Sequence, residues 1–460
     1  MSDHKLFGGF GEVSAKQWKQ KIQYDLQGAD YNDSLVWESL EGIKVKPFYH
    51  REDLENMETF VQQRDRPWKI VEPVYYGNPG KAKALARGLL KKGTDGLIFT
   101  IPEEKSDLDG LLSKIDLQGS PLYFDLQFLS AGPLKELLSR FGDHRGGIHL
   151  GLDPIGQLAR EGQWFQNQEM DFETVAEILR PSTPDSGSTV LGIPMDHYQN
   201  AGANMVQQLA YALAHAHEYL QHFDGLSAPL TFCFKVAVGG NYFFEIAKIR
   251  ALRWLWASLA PEYGLGGNCH ILALPSRRNK TLYDYNVNLL RTNSECMSAL
   301  LGGADAVCNL PYDALYHKDT EFGRRIARNQ LLLLREESRF NGISHAPEGA
   351  YYIESLTGQL AQRALELFKG IEASGGFIAA LKKGTIQQKI RESALKEQSL
   401  FDSGELVLLG TNAFQNPLDR MKGELQLHPF AKVRRRQTLI EPILARRLAE
   451  ATEQKRLDHE

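Results

Sequence analysis

The sequence predicts an α/β protein built on a (β/α)8 TIM barrel, with helical extensions at both ends. Two observations carry this expectation. Eight short apolar runs, each the length of a buried parallel strand, recur between residues 69 and 311. Amphipathic helical patterns fill the intervals, and strands that alternate with helices form parallel sheets. Eight such units are the number that closes a barrel.

Taken in order, residues 1–65 form an N-terminal extension, read as an arm that contacts a partner. Ser14 stands as a helix N-cap before AKQWKQKIQYDL, and the extended segment SLVWESLEGIKVKPFYH follows. The barrel occupies 66–340. Its strands are expected at 69–75 (KIVEPVY), 96–102 (GLIFTIP), 120–126 (SPLYFDL), 147–153 (GIHLGLD), 189–195 (TVLGIPM), 231–238 (TFCFKVAV), 269–275 (CHILALP) and 305–311 (DAVCNLP). Turn residues precede several of them, as in KKGTDG and LGGAD. Helices are expected at 81–92, 198–222, 241–259 and 283–301. An open doubly wound sheet is the competing architecture, and it would open on a glycine-rich phosphate turn. The first turn here, YYGNPGKAK, has Tyr75 and Ala82 where a phosphate loop needs glycine and Ser or Thr, so it reads as a helix start with Pro79 near N1. Residues 341–430 form a helical wrap with patterns at 356–374 and 385–400, then a short apolar strand at 405–410. The tail, 431–460, reads as a charged helix with Arg434, Arg435 and Arg436 in a row. Such a helix is either a solvated face or a partner surface.

Composition narrows the function. The chain has 460 residues, 42% of them hydrophobic and 24% charged, which is ordinary for a globular protein. A net charge of −4 gives no basic field for nucleic acid or an anionic membrane. Cys233, Cys269, Cys296 and Cys308 are scattered without a C-x-x-C pair, which argues against disulfides and zinc and for a reducing cytoplasm. The opening MSDHKLFGGFGEVSAKQWKQ lacks the apolar core of a secretory signal, and no apolar run is long enough to span a membrane.

In a barrel, catalytic groups sit at the C-terminal ends of strands. Asp125, Asp153 and Asp196 fall there, with His197 beside the last. A His–carboxylate pair can exchange protons with a substrate, whereas short polar residues also simply begin loops. Lys235 lies inside the sixth strand on the face of Cys233 and Ala237, opposite Phe232, Phe234 and Val236. Desolvation could make it a Schiff-base lysine, and the plainer reading pairs it with a rim carboxylate. His215, Glu218 and His222 can share one helix face, but His217 and His222 are five apart, not the four that HExxH requires. No nucleophile elbow and no metal set emerges.

Longer stretches resemble the barrel of methylmalonyl-CoA mutases. RPWKI (66–70) is similar to that family's RPWTI, and QNAGANMVQQLAYALA (199–214) to its QEAGA…QELAYTLA. FFEIAKIRALRWLWA (243–257) resembles FFEEIAKFRAARRLWA, and EGAYYIESLT (348–357) resembles GGSYYVESLT. The blocks 290–314 and 320–338 are similar to the end of the family barrel. The likeness is co-linear over roughly residues 60–415, and the N-terminal segments look like the small-subunit branch.

The resemblance implies adenosylcobalamin-dependent isomerisation of methylmalonyl-CoA and succinyl-CoA, with the radical chemistry supplied by the cofactor. The departures point to a chain that does not catalyse. The tyrosine of the family's RQYAGFST falls on Pro73, with Tyr75 and Tyr76 nearby. The histidine before QEAGA is matched by His197, but the following acid becomes Asn200. RNTYIFPP, with its arginine, has no counterpart. The family's THSQTSGWSL loop aligns with LALPSRRNKTL, which keeps only Ser276, and the glutamate of NALDEA falls on Ala314. No D-x-H-x-x-G cobalamin segment is found. His197 is the one catalytic position retained, expected to be vestigial or structural. Bulky Phe99, Tyr123, Phe124, Phe232 and Phe234 suggest a barrel packed along its axis. The expected role is therefore that of a small subunit that stabilises a large catalytic mutase subunit, with cobalamin and acyl-CoA held by that partner. The alternatives are a substrate-binding subunit of a split acyl-CoA mutase served by a separate small cobalamin protein, and a Schiff-base enzyme using Lys235.

Overall fold

The computed structural model describes residues 11, 13–55, 58, 67–112, 115–117, 119–141, 144–180, 187–226, 230–342, 345–432 and 436–460. Residues 1–10, Arg66, 181–186, Arg434 and Arg435 from the sequence reading lie outside them. A two-stranded antiparallel hairpin, β1 (Trp37–Glu38) and β2 (Lys44–Val45), occupies the N-terminal extension. Eight parallel strands then close into a barrel. They are β3 (Lys69–Tyr75), β4 (Gly96–Ile101), β5 (Leu122–Leu126), β6 (Ile148–Leu152), β7 (Thr189–Ile193), β8 (Phe232–Val238), β9 (His270–Pro275) and β10 (Ala306–Val307). Each pairs with the next, and β10 returns to β3. All eight expected runs contain a strand. The last is cut to two residues.

Close strand approaches depend on missing side chains. A Cβ on Gly96 would lie 2.4 Å from the Pro121 carbonyl oxygen at the start of β5. Between β6 and β7, Gly151 adopts φ +62°, and a Cβ on Gly192 would lie 2.8 Å from the Gly151 Cα. The register slips there, between His149 and Leu152, which opens space on the barrel axis.

The aromatic argument for a packed axis is corrected. Phe99, Phe124, Phe232 and Phe234 belong to the large core between sheet and helices, with Phe232 and Phe234 against Trp256 at 4.9 and 5.3 Å. Only Tyr123 joins the inner cluster, together with Val71, Cys233, Leu272, Ala306 and Cys308. Neighbours on a strand point to opposite faces, so Tyr123 and Phe124 cannot both fill the axis.

The helical extensions follow the sequence more closely. Ser14 caps Ala15–Asp25 in a reciprocal box with Gln17. The expected 198–222 helix is two, Met195–Asn200 and Met205–His222, broken at Gly202 (φ +102°) and restarted by Asn204 boxed with Gln207. Tyr351–Ala373 packs on Tyr242–Leu259 and Met205–His222, and Thr385–Ser403 lies beyond it. Residues 405–410 form no strand, only a bridge from Leu409 to Ala413. The tail is corrected as well. Its helix is confined to Glu450–Asp458, and residues 436–449 form neither helix nor strand, with Ile440, Ile443, Arg447 and Leu448 buried. Among the described residues no helix is long and apolar enough to cross a membrane.

Candidate functional site

The C-terminal ends of β5 to β9 surround a cavity of about 110 Å³, with Tyr123, Asp125, His149, Arg160, Phe165 and Lys235 on its wall. Lys235 lies on the inward face of β8, as the alternation predicts, and its Nζ is 3.3 Å from Asp196 Oδ2. The Asp196 charge, opposed by burial and helped by Asp125, pushes the lysine's pKa up. A lysine held in its charged form is a poor amine nucleophile, so the pairing with a rim carboxylate is what the structure shows.

The three aspartates separate into different roles. Asp125 is exposed and accepts from Gln127 Nε2 at 3.1 Å. Asp196 pairs with Lys235, and its other oxygen is buried without a partner. Asp153 caps Pro154–Glu161 through Gly156 N at 2.8 Å and accepts from Tyr219 Oη at 2.7 Å. Its Oδ1 is also 2.8 Å from His215 Nε2, and His215 Nδ1 is 2.8 Å from Tyr198 Oη. Burial works to raise the Asp153 pKa, but His215 and the hydrogen bonds together hold it below the ordinary value. The His215–Glu218–His222 face therefore disperses. His215 is buried against Asp153, Glu218 accepts from Ile378 N at 2.8 Å, and His222 packs against Phe172 at 4.2 Å with the rings tilted 58° apart.

His197 sits in the first turn of Met195–Asn200, half-buried. Burial, reinforced by the Arg160 charge, lowers its pKa to about 4, so it is neutral at pH 7. Its Nε2 has no partner, and its backbone contact is to Ile443 of the tail. Asn200 Oδ1 accepts from Arg277 N at 2.9 Å and Ser276 Oγ at 3.2 Å, tying the loop after β7 to the loop after β9. Pro73 faces the barrel mouth on the side of Val71 and Tyr75. Tyr75 lies two residues on, roughly 7 Å nearer the rim, and is 65% exposed. Tyr76 points the other way and donates to the Asp107 carbonyl at 2.9 Å. Ala314 stands in a turn, its N–H donating to Pro311 O at 3.1 Å.

One group escaped the sequence reading. His149, Cys233 and His270 place a donor atom each within 4.8 Å of one another. They come from three strands, and only their shared inward parity could have signalled it. Their geometry is that of a stack. His149 lies 4.1 Å from His270 and 4.4 Å from Tyr123, ring centre to ring centre, with planes 24° and 18° apart. His149 Nδ1 bonds Thr189 Oγ1 at 2.9 Å, and His270 Nε2 bonds Tyr123 Oη at 2.8 Å. Lone pairs lie in the ring planes, and stacked planes send them side by side, not toward one point. Burial, with His270 alongside, also pushes the His149 pKa well down, and the column forms a hydrogen-bonded floor for the barrel.

Residues 143–458 match the family described as methylmalonyl-CoA mutase. The chain is 34% identical to the methylmalonyl-CoA mutase small subunit of Porphyromonas gingivalis, over 90% of this chain and 71% of that one. It is 30% identical to the small subunit from Streptomyces virginiae, over 84% of this chain and 68% of that one. It is 29% identical to the methylmalonyl-CoA mutase of Cereibacter sphaeroides over 86% of its length, and spans 64% of that enzyme. On the barrel, the co-linear blocks and these relatives, the chain belongs to the methylmalonyl-CoA mutase family.

Proposed function

We propose that this chain is the small, non-catalytic subunit of an adenosylcobalamin-dependent methylmalonyl-CoA mutase, and that it pairs with and stabilises a large subunit. The observation that carries the reading is His197. The one imidazole that matches the family's catalytic position is set against the chain's own tail at Ile443. The relatives named as small subunits support the assignment, and a large subunit from Streptomyces virginiae, 28% identical, supports a homologous partner. Pro73 in place of the tyrosine and Ala314 in place of the glutamate remove groups that would touch a substrate. The four cysteines are free and buried, in keeping with a reducing cytoplasm.

The residues at the mouth do not fit a corrinoid. The tail spans the rim between the loops after β6, β7 and β9, and its Ile440 and Ile443 are buried there. Adenosylcobalamin and the acyl-CoA are accordingly assigned to the partner, and no step is routed through this chain. The test is co-expression with a large mutase subunit. The expected result is a one-to-one complex that isomerises methylmalonyl-CoA, while this chain alone with adenosylcobalamin shows no turnover. Turnover by the chain alone would refute the reading.

A further inference from the structure

The tail's path across the barrel mouth is held by a regular series of contacts. Leu439 N donates to Gly162 O at 2.9 Å and Ile443 N to Ala159 O at 2.8 Å, on the helix after β6. Arg446 N donates to Asn200 O at 2.9 Å, after β7, and Leu448 N to Arg278 O at 2.9 Å, after β9. Arg278 returns a bond from Nη1 to Arg446 O at 2.9 Å, and Arg447 Nη1 donates to Lys280 O at 3.0 Å. Ile440 and Ile443 are 7% and 4% exposed. The segment then enters Glu450–Asp458, where Glu453 accepts from Leu282 N and pairs with Arg447. A segment that satisfies its backbone groups on three separate loops and buries two isoleucines is bound as an extended ligand would be.

The residues that receive it lie on the loops after β7 and β9. His197 meets Ile443, Asn200 holds both the strap and the loop at Ser276 and Arg277, and Arg278 grips Arg446. We propose that the rim of the barrel mouth is a receptor for the chain's own C-terminal segment, in which His197, Asn200 and Arg278 position residues 439–448 as a fixed strap that locks three loops. In this account His197 is a positioning residue with a present role. The inference does not depend on the subunit reading, because the strap can be read without any activity or partner.

Hydrogen exchange on the full chain tests it. In the wild-type chain the amides of Leu439, Ile443, Arg446 and Leu448 should exchange at least about 100-fold more slowly than in an unstructured peptide. A double variant, Ile440→Asp with Ile443→Asp, should release them while β8 and β9 stay protected. His197→Ala and Arg278→Ala should each speed exchange at 443–448, and His197→Gln, which keeps a donor, should restore part of the protection. Free exchange of the strap amides in the wild-type chain would overturn the proposal. So would unchanged protection in both single alanine variants, or loss of protection throughout the barrel when the strap is released.

Discussion

Lys280 and Glu295 form a pair whose removal should be felt strongly. Both are 1% exposed, with Nζ 2.8 and 2.7 Å from the two carboxylate oxygens. Asn279 donates to the same carboxylate at 2.7 Å, and the Lys280 carbonyl receives Arg447 of the strap at 3.0 Å. Burial pushes the lysine's pKa down and the glutamate's up, and each charge pulls the other back. At an effective dielectric constant of 20, two unit charges at this separation attract by about 6 kcal/mol, close to the combined cost of desolvating them. The intact pair therefore adds little net stability, but half of it is expensive. Lys280→Met should cost about 3–5 kcal/mol, because a carboxylate is left buried without a partner. The double variant Lys280→Met with Glu295→Met should recover most of that. Urea unfolding at fixed pH measures both. The pH dependence supplies a second check. In Lys280→Met the folded-state pKa of Glu295 is raised further above its unfolded value. Its contribution is then fully present below the unfolded pKa and lost as pH rises through the folded one. The deficit should thus be smaller at pH 5 than at pH 8, with a slope no steeper than about 1.4 kcal/mol per pH unit. A deficit under about 1 kcal/mol, a flat pH profile, or a double variant as unstable as the single one would refute the reasoning.

Three further outcomes are expected. Lys235 should give no borohydride-trapped adduct with a carbonyl compound at pH 7.5, whereas Asp196→Asn, which removes the main cause of its raised pKa, should make it trappable, as mass spectrometry would show. Gly96→Ala should lower stability by about 1–3 kcal/mol in urea, because the new methyl meets backbone, which cannot rotate away. Asp153→Asn should cost about 1–3 kcal/mol at pH 7, because the carboxylate that meets His215 and accepts from Tyr219 is lost. Because the folded Asp153 pKa is lowered, the wild type loses that contribution as pH falls below the ordinary value of 3.8, so the gap should narrow in acid melts.

The barrel was legible because parallel strands covered on both faces read as unbroken apolar runs, and eight of them stand out against amphipathic helices. The direction of each side chain was equally available and was misjudged. Counting Phe99, Phe124, Phe232 and Phe234 as axial ignored the parity that correctly placed Lys235 with Cys233. Parity would also have put His149 and Cys233 on the inward face, and so the stacked floor was within reach of the sequence. The mouth was not. Whether His197 faces a substrate or a peptide depends on residues 439–448, and those bind through backbone groups that any sequence carries. Composition drew the tail as a charged helix, either solvated or facing a partner, from the run Arg434, Arg435 and Arg436. In the fold, Arg447 is buried against Glu453, and only Glu450–Asp458 is helical. A histidine that resembles a family's catalytic position is thus weak evidence for catalysis in either direction. What gives it a role is the group placed against it, and here that group is the chain's own backbone at Ile443. Selection to keep such a strap in place would preserve His197 as firmly as selection for chemistry, while leaving Pro73 and Ala314, which lie apart from the strap's hydrogen bonds, free to change.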